Sequence, residues 1–422
     1  MKSLTLFLML CLCLQAQAEK LSEKKYFQSI DPKVRLYILK TARVKIKLPD
    51  QSFESGSLKE TGKDNTVNKI DVVKYLSDVC GFEYSRNAEG HPVRPTLECT
   101  YNPRPSDNGF NGMTAKFDCD FERTEEKNSA ENKKPPGPRT LKVKYDPFKQ
   151  PGGGYKEIPQ AIMGTLFARL LGFHTGTYCP ADVICKDCPN DNPWELSNNS
   201  KGPAAVGSRV KFENVVISIN HKGFKIMDTT NNDPVKAIGF YFKKELNKIN
   251  PSDKTQAAEL KTERDALTLW INFARNRDAG AYNTKLYCVK SETSQTIESK
   301  PVCLEAAALI NDYGNSFGYA GQREKIELSK FKDHPLRNTS FSGENIDANS
   351  SLITVGANGT AEPAGIEIGD SGRKLFVKYA ESITDQQLDD IFRLAQIHLT
   401  SDSSVEEWKS TFKKKVKRVK DH

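Results

Sequence analysis

The sequence predicts an α+β fold in which a cysteine-bearing N-terminal extension precedes a large globular part. A strand-like pattern, a loop and a helical pattern follow one another between residues 114 and 171, and a helix, two strands and two more helices are predicted after residue 260. Hydrophobic residues make up 37% of the chain, which excludes a wholly disordered or fibrous protein. The length of 422 residues predicts two to three domains.

The first eighteen residues have the pattern of a cleaved signal peptide. Lys2 precedes an apolar run of about eleven residues, and Ala16-Gln-Ala18 is a small-x-small cleavage site. The run is shorter than the roughly 20 residues that cross a bilayer as a helix, and no later stretch comes close. We therefore expect a secreted or periplasmic protein without a transmembrane segment. A lipid anchor on Cys11 is the alternative, which Leu10 disfavours because a small residue is preferred there.

Residues 19–107 form the predicted N-terminal extension. They are polar and rich in lysine, with a helical stretch at residues 67–79 and a proline-rich end at residues 102–105. A strand at residues 114–121 follows Gly109 and Gly112, and after a charged linker a second strand covers residues 141–145.

The remaining elements follow from periodicity and from residues that begin or end helices. Residues 159–171 form a helix that starts at Pro159 and stops at Gly172. Residues 179–203 are predicted to be a loop and residues 206–219 a strand. Further elements are a helix at 261–275, strands at 284–289 and 304–310, and two helices that open with capping boxes at Thr384 to Gln387 and Ser404 to Glu407.

Eight cysteines remain after removal of the signal peptide, and an even number in an exported chain indicates disulfide bonds. Eight cysteines allow about a hundred pairings, so spacing alone does not fix the connectivity. Local context favours Cys80 with Cys99, which bracket a short polar loop, and Cys288 with Cys303, which end two β-rich segments as in a hairpin. Cys119 and Cys179 stay unassigned.

The Cys185-x-x-Cys188 pair has three interpretations. It is a structural disulfide, a redox pair, or part of a zinc site with Cys179 and His174. Zinc needs reduced ligands, and a redox motif should open a helix, whereas Pro189 follows here. We expect the structural disulfide.

The segment with the clearest chemical pattern is residues 276–283, which lies between a predicted helix and a predicted strand. Asp278 precedes Asn283 by five residues, and a strand about thirty residues later ends at Asp312-Tyr-Gly314. Phosphoryl transfer uses such a pattern: one carboxylate orients the attacking hydroxyl, while the amide oxygen and the second carboxylate hold Mg²⁺ against the phosphates. A lysine on an upstream strand should contact the phosphates, and Lys144 lies on such a strand.

With these motifs the chain resembles the protein-kinase-like superfamily, most closely its atypical branches of secreted kinases and phosphatidylinositol-kinase-like proteins. It is also similar to a group of exported bacterial proteins. The resemblance covers roughly residues 108–412 and includes these phrases: Met113-Thr-Ala-Lys-Phe-Asp-Cys119, Lys142-Val-Lys-Tyr145, Leu171-Gly-Phe173, Cys185-x-x-Cys188-Pro189 and Asn315-Ser-Phe-Gly318. It implies a two-lobed kinase-like fold with a first lobe at 108–178 and a second lobe at 179–422, which ends in a basic helix.

The resemblance also implies roles for individual residues. Asp278 matches the catalytic acid, Asn283 and Asp312 match the Mg²⁺ or Mn²⁺ ligands, and Lys144 matches the phosphate-binding lysine. Gly109 and Gly112 fall where a loop should cover the phosphates of ATP.

Several positions depart from the family pattern. The covering loop is poor in glycine, Asn276 replaces a histidine, and Gly280 replaces the lysine that would contact the γ-phosphate. The position expected to hold the glutamate that pairs with Lys144 is Ala161, and Glu157 lies one turn earlier on the same helix face. We expect Glu157 to substitute near the start of the helix.

The predicted function is phosphate transfer from ATP to a hydroxyl on an exported protein, a small molecule or a lipid. The alternatives are a catalytically inactive kinase-like binding or scaffold protein of the cell envelope, and a disulfide-rich structural protein. The basic run at residues 413–420 is interpreted as a solvated helix end, so no nucleic-acid partner is expected.

Overall fold

In a computed structural model of the protein, the described residues are 70–103, 114–122, 139–146, 157–188, 208–219, 224–225, 254–276, 284–297, 300–310, 312–314, 316–317, 325–332 and 368–421. Only the backbone is described for residues 224–225 and for most of residues 284–308. The predicted signal peptide lies outside these ranges.

The described chain begins with helix α1 and a short hairpin. Helix α1, Val72–Cys80, starts at Asp71, whose carboxylate accepts the backbone N–H groups of the first turn, and it ends at Gly81, whose φ of 71° needs the left-handed region. The hairpin pairs β1, Ser85–Arg86, with β2, Pro92–Val93. Both elements belong to the predicted N-terminal extension.

Five strands close into a barrel in the order β3, β4, β5, β7, β6. In chain order, these strands are β3 (Thr96–Asn102), β4 (Ala115–Phe121), β5 (Arg139–Tyr145), β6 (Thr177–Lys186) and β7 (Arg209–Ile219). Alternate residues are buried inside the barrel, where the ring centroids of Phe117 and Phe212 lie 4.9 Å apart and those of Tyr145 and Phe212 5.1 Å apart. On β5, Lys142 and Lys144 consequently point out of the barrel.

Helix α2, Ile158–Leu170, is buried along its whole length. Glu157 is its N-cap, Pro159 lies in its first turn, and Gly172 follows its end with a φ of 81°. These limits confirm the prediction. A helix that is buried on every side needs partners all around it, and α2 contacts the barrel on one side and helix α6 on another.

The rest of the described chain is a three-stranded sheet and a set of helices. The sheet has the order β10, β9, β8. Its strands are β8 (Phe224–Lys225), β9 (Thr284–Ile297) and β10 (Lys300–Ile310). The helices are α3 (Lys254–Phe273), α4 (Leu328–Lys332), α5 (Asp370–Glu381), α6 (Asp385–Leu394), α7 (Ile397–Thr400) and α8 (Val405–Asp421). No helix in the described ranges has the length and apolar character needed to cross a membrane.

The helices surround a core of aromatic rings. Phe167 of α2 stacks on Phe412 of α8 at 4.8 Å, and Phe331 stacks on Trp408 at 5.5 Å. Both predicted capping boxes are present: Thr384 exchanges hydrogen bonds with Gln387, and Ser404 does so with Glu407.

A buried lysine joins the C-terminal helix to the end of α3. Lys415 of α8 is fully buried, and its ammonium donates to the carbonyls of Phe273 at 2.6 Å and Phe331 at 3.0 Å. Because the last carbonyls of a helix lack partners within the helix, Lys415 satisfies groups that burial would otherwise leave unpaired.

One of the predictions about segments is wrong. Residues 179–186 were expected in a loop, but they belong to strand β6. Alternate residues on this strand point inward, and Pro180 and Asp182 conceal that alternation in the sequence. The barrel combines strands from all three predicted parts of the mature chain: β3 comes from residues 19–107, β4 and β5 from residues 108–178, and β6 and β7 almost wholly from residues 179–422.

The disulfide pairing differs from the prediction. Cys80 is bonded to Cys179 and Cys99 to Cys119, so the expected pair of Cys80 with Cys99 is wrong. Local spacing misled here because the end of helix α1 packs against the distant strand β6, while β3 pairs with β4. Cys185 is bonded to Cys188.

The predicted partnership of Cys288 with Cys303 lies outside the described side chains. Strands β9 and β10 do form the expected antiparallel pair, in which Cys288 is opposite Ala306 and Cys303 is opposite Ser291.

Replacing Arg86 with Met is expected to lower the free energy of unfolding by about 1–2 kcal/mol. Arg86 donates to both carboxylate oxygens of Asp390 at 2.7 and 2.8 Å, and the Asp390 side chain is only 1% exposed. The variant leaves this carboxylate with the Gln386 amide as its described side-chain donor. Urea unfolding measures the change. Lys74→Met, which breaks an exposed pair with Asp78, is the control and should cost about 0.3–0.5 kcal/mol; equal losses would contradict the prediction.

Candidate functional site

Lys144 lies on the outer face of the barrel, close to residues from two other segments. Its ammonium donates to the Tyr178 hydroxyl at 2.8 Å and lies 4.0 Å from Oδ2 of Asp312. Burial lowers the pKa of Lys144, but the negative charges of Asp312 and Glu157 and the hydrogen bond to Tyr178 outweigh burial and raise the pKa above its ordinary value. Lys144 is therefore a fixed positive charge.

Asp312 is positioned by the end of β10 and by the end of α3. Its Oδ1 accepts the backbone N–H of Gly314 at 2.9 Å. Asn276, which is buried three residues after α3, donates from its side chain to the Asp312 carbonyl at 3.0 Å. The backbone N–H of Phe317 donates to the Ala274 carbonyl at 2.8 Å. These bonds join Asp312 and Phe317, which follow β10, to Asn276 and Ala274, which follow α3.

Glu157 reaches the same place from the start of α2. Its backbone N–H donates to Oδ1 of Asp146 at 3.0 Å, and its carboxylate accepts the Thr114 hydroxyl. A Cβ on Gly314 would lie 2.8 Å from Oε2 of Glu157 and 3.0 Å from its Cβ, so the backbone of Gly314 closely approaches the Glu157 side chain. Glu157 therefore lies beside the Asp312 segment, whereas Ala161 is buried in the core.

Two residues of this cluster were not predicted from the sequence. Tyr178 is one, because it lies on the strand that was taken for a loop. Lys116 is the other: it is opposite Lys144 in the register of β4 and β5 and is 7% exposed. Pairing of β4 with β5 could have indicated Lys116, because residues opposite each other on paired strands lie on the same face of the sheet.

The other predicted site residues lie outside the described ranges. These are Asp278, Asn283, Gly109 and Gly112. The structure thus brings together Lys144, Glu157 and Asp312.

Of the two predicted ligands of a Mg²⁺-type ion, Asp312 is described and Asn283 lies outside the described residues. Such ions prefer carboxylate and amide oxygens, and Mg²⁺ usually takes one or two protein carboxylates together with phosphates and water. Asp312 supplies a carboxylate whose side chain is 27% exposed, and the ammonium 4.0 Å away is suited to phosphate oxygens. Asp312 would hold the ion.

Lys116 is expected to make the stability of the protein depend on pH. Burial and the positive charges of Lys144 and Lys142 lower its pKa from 10.5 to about 8. Below about pH 8 the folded protein carries the full cost of the buried charge, and above it the folded state loses a proton that the unfolded state keeps. The free energy of unfolding should therefore rise with pH between about 8 and 10.5, by up to about 1.4 kcal/mol per pH unit.

The test compares wild type with Lys116→Met by urea unfolding across this pH range. The variant should be more stable than wild type near pH 7, and the difference should shrink as the pH rises. Lys74→Met, which removes an exposed lysine, controls for general effects of charge. The prediction is contradicted if the difference in free energy of unfolding between wild type and Lys116→Met does not change with pH.

A distant similarity to a solved structure is the main result of comparing the chain with known proteins. No protein-family model matches the chain, and no curated protein matches it. Among solved structures, the chain is similar to the crystal structure of the Helicobacter pylori proinflammatory kinase CtkA, with 11% sequence identity and a TM-score of 0.33. The alignment covers 76% of this chain and 94% of that kinase.

Proposed function

We propose that the chain is an exported, two-lobed, kinase-like phosphotransferase that moves the γ-phosphate of ATP to a hydroxyl acceptor with Mg²⁺ or Mn²⁺. One observation carries this proposal. Lys144 from β5, Glu157 from the start of α2 and Asp312 from the end of β10 lie together, although they are far apart in the sequence. A lysine, a helix carboxylate and a metal-binding carboxylate are the groups that phosphoryl transfer needs beside a nucleotide.

Each residue then has a proposed role. Lys144 contacts the phosphates, and Glu157 holds the ammonium in place through its charge. Asp312 and Asn283 hold the metal ion, which when bound neutralises charge on the phosphate oxygens. Asp278 accepts or orients the proton of the acceptor hydroxyl, and Gly109 and Gly112 lie in the loop that covers the phosphates. The acceptor is an exported protein, a small molecule or a lipid.

The second candidate is a kinase-like protein that binds nucleotide without catalysis. The Lys144 ammonium already donates to the Tyr178 hydroxyl at 2.8 Å, and a nucleotide has to compete with this bond. Gly280 also leaves the γ-phosphate without the cation that the resemblance would place there. The bond to Tyr178 weakens nucleotide binding and phosphate transfer alike, whereas the missing cation lowers transfer more than binding, because it reduces charge stabilisation in the transition state.

The experiment measures thermal unfolding with ATP, with and without Mg²⁺ or Mn²⁺. Ligand at about 100 times its dissociation constant should stabilise the protein by about 2.7 kcal/mol, because it binds only the folded state. Asp312→Ala should lose the part of the stabilisation that depends on metal, whereas Asp120→Ala should keep it, because Asp120 contacts Asn102 and Thr140 at the other end of β4.

Incubation with ATP labelled at the γ-phosphate separates the two candidates. Transfer of label to the protein itself or to an added acceptor supports the enzyme. Stabilisation without transfer supports the binding protein. Absence of both contradicts the kinase-like assignment and favours a structural role.

A further inference from the structure

Four buried sulfur atoms lie together inside the barrel. Cys99 is on β3, Cys119 on β4 and Cys185 on β6, and their Sγ atoms all lie within 4.8 Å of one another. Cys188 joins the group through its bond to Cys185. The four residues are at most 4% exposed. They have no part in the site proposed above, and their chemistry is independent of nucleotide binding.

The backbone holds these cysteines in place without the sulfur bonds. Cys99 is directly opposite Cys185 in the parallel register of β3 and β6. The turn at Cys188 is fixed by Ser208, whose hydroxyl donates to the Cys188 carbonyl at 2.7 Å and whose own carbonyl accepts the N–H of Asp187 at 2.8 Å. Reduction of the two disulfides therefore leaves four thiols close together.

One separation between non-bonded sulfurs matches the geometry of a zinc site. Zinc binds four cysteines at about 2.3 Å in a tetrahedron, which places the sulfurs about 3.8 Å apart. The Sγ atoms of Cys119 and Cys185, which are not bonded to each other, lie 3.8 Å apart. Cys185 and Cys188 also have the two-residue spacing that is frequent in structural zinc sites.

We propose that these four cysteines form a redox-dependent zinc site that alternates between two disulfides and a closed Zn(Cys)₄ centre. The zinc site considered from the sequence, with Cys179 and His174, differs from this one because Cys179 is bonded to Cys80.

The chemistry of the switch balances. Two molecules of a dithiol reductant each give two electrons and two protons to one disulfide and become disulfides themselves. The four resulting thiols release four protons as they bind one zinc ion, and each thiolate supplies an electron pair. Oxidation of the site reverses these steps and releases the ion.

The test uses the whole chain, reduced without oxygen in urea and refolded by dilution with or without zinc. After removal of free metal, elemental analysis should find about one zinc ion per chain in the reduced protein and background levels in the oxidised protein. Cobalt in place of zinc should give the absorption of a tetrahedral thiolate complex. Circular dichroism should show that zinc raises the melting temperature of the reduced protein.

Two double variants make the test specific. Cys185→Ser with Cys188→Ser should lose the bound zinc. Cys80→Ser with Cys179→Ser removes a disulfide outside the cluster and should keep it. The proposal is overturned if the first variant binds as much zinc as wild type, if the reduced and folded wild type binds none, or if zinc does not raise the melting temperature of the reduced wild type.

Discussion

Replacing Lys144 with Met is expected to lower the rate of phosphate transfer about 10²–10³-fold. The ammonium is held beside Asp312 and Glu157, and their charges keep it protonated. Met keeps much of the volume but removes the positive charge that should stabilise the phosphates in the transition state. The measurement is transfer of labelled phosphate under single-turnover conditions, together with the thermal shift caused by ATP.

Lys142→Met is the matched control. Lys142 lies two residues earlier on the same strand and face, opposite Asp118 of β4. This variant should transfer phosphate within a few fold of wild type. If both variants lose activity equally, the loss reflects damage to β5 and not the removal of one ammonium. If Lys144→Met keeps full activity, the proposed site is wrong.

Replacing Gly164 with Ala is expected to destabilise the protein by about 3 kcal/mol. A Cβ on Gly164 would lie 2.3 to 2.5 Å from Cβ, Cγ and Cδ1 of Tyr313. Tyr313 is fully buried and accepts a hydrogen bond from the Trp270 indole at 3.1 Å, so its ring has little room to move. Because Tyr313 follows Asp312, the displaced ring should also shift the carboxylate, and a shift of about 1 Å can cost about 10²-fold in rate.

Thermal unfolding and phosphate transfer measure the two effects of Gly164→Ala. Thr165→Val is the control on the same helix, because the buried Thr165 hydroxyl has no hydrogen-bond partner among the described residues. This control should be as stable as wild type or more so. If Gly164→Ala keeps wild-type stability and activity, the close packing of α2 against Tyr313 does not position Asp312.

Local signals in the sequence predicted α1, α2, α3, α6 and α8, whereas α4, α5 and α7 were not predicted. Pro159 and Gly172 mark the limits of α2, and the capping boxes at Thr384 and Ser404 mark the starts of α6 and α8. These signals work because each depends on groups within one helical turn.

Features that depend on distant pairing were not predicted. The partner of Cys80 was missed because it depends on the packing of helix α1 against β6. Strand β6 was missed because its pairing depends on how the barrel closes. The same cause hid Tyr178 and Lys116, which join the site only when β4, β5 and β6 are assembled. Lys144 and Asp312 were predicted from motif spacing, and Glu157 from its place at the start of α2.

The barrel strand contributed by the predicted N-terminal extension has a practical consequence for expression of shorter fragments. A fragment starting at residue 108 would lack β3, so β4 and β6 would each expose an unpaired edge to other chains. It would also leave the thiols of Cys119 and Cys179 without their native partners. Such a fragment should aggregate or crosslink between molecules, whereas a fragment starting near residue 70 keeps the partners of the barrel that lie in the described part of the chain.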